Sequence, residues 1–304
     1  AGMRAVIGLP LLDQPSAWAK DFAEYVEKGL SVAGQFRADP LLTFTLAPHA
    51  PYSVCDESAE RIAQVSRDRQ LKVHLHCLET AYDIEHSIRT YGMKPLQRLE
   101  NLGLLNQDLI AVHMTQLGQH DIELLAERHT HVVHCPQSNL KLASGICPVA
   151  ELQAAGVNVC IGTDGAASNN NLDLVEEART AAMMAKGVSR DPTAVTAQQT
   201  VDMLTINAAR ALGKERDLGS IEIGKEADLC ALDIEFPQTQ PLYDLYSQVV
   251  YAASSQQFTD VWVAGEHVLK DRELLTLDQS EVISKAQHWR DRIRGRASWN
   301  QVAV

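Results

Sequence analysis

Short apolar runs alternate along the chain with longer segments in which apolar residues recur every three or four positions. This alternation predicts six buried strands separated by helices, because short continuous apolar runs are typical of strands and the 3.6-residue period of helices. The predicted strands are residues 4–9, 42–47, 71–76, 109–113, 131–135 and 158–163. Six strand–helix units in succession favour a parallel α/β architecture.

Two helices carry recognisable start signals. Ser16 precedes apolar residues at helical spacing, from Trp18 to Leu30, and is the expected N-cap of the first helix. Thr196 and Gln199 have the spacing of a capping box, which predicts a helix from Thr196 to Gly213.

After residue 217 the pattern changes to short alternating β segments with glycine turns, and a closing helix is expected over residues 280–294. We therefore predict a main domain over residues 1–217 and a small β-sandwich appendage with a closing helix over residues 218–304.

Polar residues concentrate where the predicted strands end: His49, His76, His113, His134 and Asp164. A (β/α)8 barrel keeps its active site at the C-terminal ends of its strands. A doubly wound sheet also binds ligands there, but no glycine-rich phosphate loop follows any strand. The (β/α)8 TIM barrel is the predicted fold, although it needs eight strands and the pattern supplies six.

Asp164 ends an apolar run that opens into small and amide residues. Taken alone, this stretch leaves two interpretations open: the carboxylate caps the following helix, or it binds a metal or takes a proton. Together, His76, His113 and Asp164 form a candidate mononuclear metal set, since imidazole and carboxylate are ligands of Zn²⁺ and Fe²⁺. A single histidine at such a position is more often structural than a ligand. The hypothesis of a metal site therefore rests on the recurrence of these polar residues at several strand ends.

The composition excludes several functional classes. The chain has 27 basic and 39 acidic residues, a net charge of −12, which argues against nucleic acid or an anionic membrane as partner. No apolar run is long enough to cross a bilayer, and the N-terminus lacks a signal-peptide pattern. The six cysteines form no CxxC motif. These features predict reduced cysteines and a cytoplasmic location.

Five strings resemble the amidohydrolase superfamily, and within it the 5-methylthioadenosine/S-adenosylhomocysteine deaminases and the related triazine hydrolases. They are Ala47-Pro-His-Ala-Pro-Tyr52, His76-Cys-Leu-Glu-Thr80, Val112-His113, residues 133–145 and residues 162–169. The resemblance extends over essentially the whole chain and implies that the six strands are barrel strands three to eight.

The resemblance implies roles for five residues. His76 would bind the metal, and Asp164 would bind it and shuttle protons. Glu79 would hydrogen-bond and protonate the ring nitrogen beside the attacked carbon, His113 would orient the water, and His49 would contact the sugar side of the substrate. A single metal ion is expected, because strand 42–47 lacks the lysine that bridges the two metals of binuclear relatives. Zn²⁺ is the expected ion and Fe²⁺ is the alternative.

Other polar residues receive smaller roles. His74 has no family role and is expected to be structural, and His134 is expected to support a loop, with substrate contact as the alternative. Ser138 and Asn139 would shape the loop over the pocket.

The chain departs from the family pattern in two places. The His-x-His metal pair of barrel strand one has no counterpart before Arg4, so we expect an N-terminally incomplete chain whose two further histidine ligands lie outside it. Residues 10–17, which follow the first strand, contain no arginine to hold an amino-acid carboxylate. This predicts a preference for 5′-methylthioadenosine or adenosine over S-adenosylhomocysteine.

The predicted reaction is therefore hydrolytic deamination of the adenine ring of 5′-methylthioadenosine, giving the inosine analogue and ammonia. It needs a hydroxide at neutral pH, which a metal can supply, and proton transfers that Glu79 and Asp164 can divide. Guanine deamination and triazine chloro- or aminohydrolysis remain alternatives, since the same residues suit any amidine-like carbon. A catalytically silent binding protein is the alternative from another class, although retention of buried polar groups argues against it. A homo-oligomer is expected from the resemblance.

Overall fold

The computed structural model describes residues 1–295. Contacts divide the described chain into a larger unit, residues 5–225 and 234–255, and a smaller unit, residues 1–4, 226–233 and 256–295. Because the two units interleave along the sequence, neither is bounded by a single cut. The domain division at residues 217 and 218 stays a prediction, and the last part of its second domain, 296–304, lies outside the described residues.

A six-stranded parallel sheet organises the larger unit. Its strands are β1 (Ala5–Leu11), β2 (Leu42–Pro48), β3 (Val73–Cys77), β4 (Leu109–His113), β5 (His131–His134) and β6 (Val159–Ile161). They pair in chain order, β1-β2-β3-β4-β5-β6. A doubly wound sheet would reverse its order at a switch point, whereas a (β/α) barrel adds each strand beside the last. The predicted barrel architecture is confirmed, with six strands in the described part of the chain.

Helices connect these strands and continue into the smaller unit. They are α1 (Phe22–Gln35), α2 (Asp56–Arg69), α3 (Ala81–Tyr91), α4 (Pro95–Asn101), α5 (Gln119–Glu127), α6 (Pro136–Lys141), α7 (Val149–Ala154), α8 (Leu174–Ser189), α9 (Ala197–Leu204), α10 (Ile206–Ala211), α11 (Leu245–Ser247) and α12 (Gln279–Arg294).

The predicted start of the first helix is wrong. Helix α1 begins at Phe22, and Asp21 is its N-cap, accepting a hydrogen bond from the backbone N–H of Glu24. Ser16 instead accepts from the N–H of Trp18 in a separate turn, so Trp18 lies outside the helix. Asp21 directly precedes the helix, so its carboxylate can accept a hydrogen bond from an unpaired N–H group of the first turn. Ser16 is too far upstream to do so.

Two other segments differ in detail from their predictions. Thr196 and Gln199 form the predicted capping box, but the helix breaks at Thr205 into α9 and α10. The segment after β5, expected to be a loop, contains the short helix α6 with Pro136 in its first turn. Proline is favoured there because its missing N–H would be unpaired anyway.

The smaller unit contains an antiparallel sheet of β7 (Leu229–Leu232), β8 (Phe258–Val263), β9 (Glu266–Lys270) and β10 (Glu273–Leu274). Their order is β10-β9-β8-β7, and the described residues contain no second sheet facing them. The expected sandwich is therefore a single sheet in this part of the chain. The predicted closing helix is confirmed as α12.

Apolar side chains fill the space between the parallel sheet and its helices. On β3, Val73, Leu75 and Cys77 are buried in this core, so period two directs His74 and His76 to the opposite face. Among residues 1–295, no helix combines the length and apolar character needed to cross a membrane.

Candidate active site

The ring of His76 is oriented by the loop that follows β2. Its Nδ1 lies 2.6 Å from the backbone carbonyl oxygen of His49. Since a carbonyl can only accept, Nδ1 carries a proton and donates it to this bond, which leaves Nε2 as the ring nitrogen that could bind a metal. Histidine ligands of metals commonly donate their second ring nitrogen to such a carbonyl. His76 thus has the orientation and tautomer of a metal ligand.

His113 lies at the end of β4 and is 1% exposed. Its Nδ1 is 2.9 Å from Oδ1 of Asn139, and its ring stacks on His76 with centroids 5.4 Å apart. Its Nε2 lies 3.8 Å from Oε2 of Glu79. Since an amide oxygen can only accept, Nδ1 donates to Asn139, and Nε2 is the ring nitrogen that faces Glu79. Its backbone φ of +76° is in the left-handed region, which is uncommon for a residue with a side chain.

Glu79 follows β3 and is anchored at its backbone as well as its carboxylate. Its N–H donates to Asp83 at 2.7 Å, and its carbonyl accepts from the Thr115 hydroxyl at 2.6 Å. One carboxylate oxygen accepts from Ser144 at 3.0 Å, while the other faces His113. The side chain is 27% exposed, so a substrate can reach a carboxylate whose position is already fixed.

Asp164, just beyond β6, accepts three hydrogen bonds. The hydroxyls of Ser138 and Ser168 both donate to Oδ2 at 2.7 Å, and the N–H of Gly165 donates to Oδ1 at 2.7 Å. Burial favours the neutral acid, but these donors outweigh burial and hold the pKa of Asp164 below its ordinary value. The carboxylate is therefore ionised at neutral pH. Its backbone φ is +62°, again left-handed.

The helix-cap interpretation of Asp164 is wrong. Helix α8 is capped by Asp173, whose carboxylate accepts from the N–H groups of Val175 and Glu176. Asp164 lies well before this helix and orders the turn that contains Gly165 and Ser168 instead. Its carboxylate is thus available for chemistry at the strand end.

The two other histidines differ in burial. His134 ends β5 and is 1% exposed, and its Nδ1 has no hydrogen-bond partner within residues 1–295. Burial lowers the pKa of His134 to about 3, so the ring is neutral. It lies in the predicted strand, and its role in supporting a loop stays a prediction. His74 is exposed on the face of β3 that carries His76.

Ser138 and Asn139 have closer roles than shaping a loop. They are 0% and 1% exposed and contact Asp164 and His113 directly. Ser144, Ser168 and Glu177 were not singled out from the sequence, although Ser144 and Ser168 lie within the strings that carry the family resemblance. Glu177 interrupts the buried alanine stripe of α8, and that interruption was its only sequence signal.

Glu177 is 0% exposed and accepts from the Gln137 N–H and the Asn169 amide. Burial raises the pKa of Glu177 to about 7 against the opposing effect of these two donors.

The donor set fits part of a metal site. His76 offers an imidazole nitrogen and Asp164 an ionised carboxylate, which suit a divalent ion. Within residues 1–295, no group of three or more His, Cys, Asp or Glu side chains is arranged to hold a metal. His76 and Asp164 stay the predicted metal donors of this part of the chain.

The sequence profile of the amidohydrolase family matches residues 1–268. The chain belongs to the amidohydrolase family. Among amidohydrolases it is 46% identical over 293 residues to a 5-methylthioadenosine/S-adenosylhomocysteine deaminase of Teredinibacter turnerae. It is 45% identical over 294 residues to the enzyme of the same name from Saccharophagus degradans. These matches cover 96% and 97% of this chain but 66% of each relative, so the chain spans just under two thirds of their length.

Solved structures agree with this assignment. A zinc-bound adenosine deaminase from Xanthomonas campestris is 50% identical with a TM-score of 0.95, covering 97% of this chain and 67% of that one. A triazine hydrolase variant has a TM-score of 0.88 at 22% identity, covering 94% and 65%, which supports the fold alone. The predicted family is confirmed.

Proposed function

We propose that the protein carrying this chain is a metal-dependent aminohydrolase that deaminates the adenine ring of 5′-methylthioadenosine. The observation that carries the proposal is that Asp164, Glu79 and His113 are each held by a hydrogen bond with a different side chain. The partners are Ser138, Ser144 and Asn139, respectively. The names of the Teredinibacter and Saccharophagus relatives support the purine nucleoside substrate.

The chain's own residues can divide the proton transfers of this reaction. Asp164, ionised at neutral pH, can accept a proton from the attacking water and pass it toward the departing ammonia. Glu79 can deliver a proton to the ring nitrogen, because its Oε2 accepts no hydrogen bond from the described residues and Ser144 binds the other oxygen. His113 can orient the water through its Nε2. His49 would contact the sugar side of the substrate, which its exposure beside His76 supports.

His76 and Asp164 would hold the metal, together with further ligands that residues 1–295 do not supply. When bound, a divalent ion supplies the Lewis acidity that makes water a nucleophile at neutral pH. Zinc in the Xanthomonas structure supports Zn²⁺ over Fe²⁺. A homo-oligomeric state and a cytoplasmic location stay predictions from the sequence.

Ammonia release tests the proposal when the purified native protein is assayed against 5′-methylthioadenosine, adenosine, S-adenosylhomocysteine, guanine and triazines. We expect the fastest turnover with 5′-methylthioadenosine, one zinc per chain by elemental analysis, and loss of turnover after chelation that zinc restores. Faster turnover of guanine or a triazine would favour those reactions instead. Absence of both metal and turnover would support the silent binding protein.

A further inference from the structure

Glu177 joins two loops at the candidate site through one buried carboxylate. It lies on α8, and its side chain is fully buried. One oxygen accepts from the backbone N–H of Gln137 at 3.2 Å, and the other accepts from the side-chain amide of Asn169. Gln137 belongs to the segment after β5 and Asn169 to the segment after β6. A single side chain thus fixes both segments relative to α8.

Each of these two donors is the chain neighbour of a serine that binds Asp164. Gln137 precedes Ser138, and Asn169 follows Ser168. Both serine hydroxyls donate to the same oxygen of Asp164 at 2.7 Å. Glu177 is therefore linked to Asp164 through each of the two loops. In each loop, the residue that donates to Glu177 and the serine that donates to Asp164 are adjacent in the chain.

The link through α6 continues to His113. Asn139 lies two residues after Gln137 in the same short helix, and its Oδ1 accepts from His113 at 2.9 Å. The Gln137 N–H is in the first turn of α6, where backbone donors lack partners within the helix. Glu177 satisfies this donor and so fixes the start of α6, from which Ser138 and Asn139 both project.

We propose that Glu177 is a positioning residue for the reaction, which holds Ser138 and Ser168 so that both donate to Asp164. The inference rests on the proposed function, because it assigns Glu177 a role in arranging Asp164. Burying a carboxylate away from water is costly, and here its two acceptor oxygens meet two donors, of which a neutral amide could match only one and a shorter side chain would reach neither.

The test is Glu177→Gln, which keeps the shape of the side chain but replaces one acceptor oxygen by an NH₂ group. That group would face the N–H of either Gln137 or Asn169, so one of the two hydrogen bonds would be lost. We expect kcat to fall about 10- to 100-fold, the effect of small misplacements at a preorganised site, with KM within threefold of the unmodified protein. Glu176→Gln is the matched control. Glu176 is the neighbouring residue of α8 and is exposed, and its carboxylate accepts from Asn171. The control should leave kcat unchanged.

Hydrogen exchange gives a readout that does not depend on turnover. In Glu177→Gln, peptides covering residues 136–141 and 165–171 should both exchange faster, while the strands keep their protection. Asn169→Ala cuts one link only and should loosen residues 165–171, leave 136–141 unchanged and lower kcat. This second variant decides the question if Glu177→Gln fails to fold.

Either unchanged kcat in the folded variants or an even rise in exchange across the whole chain would overturn the proposal. If the unmodified protein releases no ammonia from any nucleoside, the proposed function fails on its own. The exchange data then still show whether Glu177 holds the two segments.

Discussion

At the scale of single residues, the candidate site is defined by how acceptors and donors are matched. Asp164 is surrounded by donors, Glu79 is held by Ser144, and His113 donates to Asn139. The sequence indicated His113 and Asp164 because they end apolar runs, and Glu79 through the family resemblance. It could not indicate which side chains would hold them, since those bonds join segments 26 to 65 residues apart.

Asp164→Asn should abolish most turnover and leave the fold intact. Asparagine tolerates the left-handed backbone, and the hydroxyls of Ser138 and Ser168 can rotate to suit an amide. The carboxylate that takes the proton is lost, so we expect kcat to fall by about 10²–10⁴-fold. Steady-state kinetics and a thermal melt measure the two effects. Near-normal kcat would show that the carboxylate is not needed in the reaction.

His131 should make the stability depend on pH. Burial, followed by the charge of Lys72, lowers the pKa of His131 to about 4 from an ordinary 6.5. Between these values the unfolded chain binds a proton that the folded chain does not, so stability is complete above pH 6.5 and falls as the pH drops toward 4. Nδ1 of the neutral ring accepts from Asn158 at 3.0 Å.

Urea unfolding between pH 4 and 7 tests this pH dependence. His131→Gln should flatten it by an amount on the order of 1–2 kcal/mol. The exposed His120→Gln is the control and should leave it unchanged. Equal slopes for His131→Gln and the unmodified protein would contradict the prediction.

At the scale of elements, the strands were predictable to within two residues because each is a buried apolar run between turn signals. Helix starts and breaks were less predictable, since several residues compete to satisfy the same backbone groups. Asp21 rather than Ser16 caps α1, and Thr205 divides a segment that has uniform helical periodicity. Such outcomes depend on three-dimensional packing, which the local pattern does not contain.

Arg98 on α4 should be a strong determinant of stability. It is 2% exposed and donates to the carbonyls of Pro51 and Val54 and to Asp56. Its guanidinium also lies 3.6 Å from the ring centre of Tyr91. Arg98→Met leaves two buried carbonyls without donors in the segment after β2, and we expect a loss of about 3–5 kcal/mol in the free energy of unfolding.

Arg128→Met provides the comparison for Arg98. Arg128 also pairs with a carboxylate, Glu100, but its side chain is 44% exposed. An exposed ion pair contributes about 1 kcal/mol or less, so this change should be small. Equal losses for the two variants in urea unfolding would refute the role assigned to Arg98.

At the scale of the whole molecule, the succession of strands and helices predicted a parallel α/β fold, and the polar strand ends without a glycine-rich loop favoured the barrel over a doubly wound sheet. The form of the smaller unit was not predictable in the same way. Residues 1–4 join it from the far end of the sequence, where Arg4 donates to both oxygens of Asp228 at 2.6 and 3.0 Å. An ion pair across 224 residues leaves no local pattern.

Substrate choice should reflect the absence of arginine in residues 10–17. We expect kcat/KM for 5′-methylthioadenosine to exceed that for S-adenosylhomocysteine by about 10- to 100-fold, the worth of one charge-assisted hydrogen bond to the amino-acid carboxylate. Adenosine, which lacks that carboxylate, should fall on the side of 5′-methylthioadenosine. Comparable values for the two thioether substrates in parallel assays would refute the prediction.

The left-handed backbone at His113 and Asp164 limits how these positions can drift in evolution. Aspartate, asparagine and histidine are the side-chain-bearing residues most enriched in that region. In the proposed reaction each position must also carry its chemical group, so the two requirements together leave few substitutions neutral. Glutamate at 164 would keep the charge yet lose the conformational preference, whereas His76, on extended backbone, meets only the chemical requirement. Among homologues that keep the proposed activity, positions 113 and 164, where the backbone is in the left-handed region, should therefore vary least.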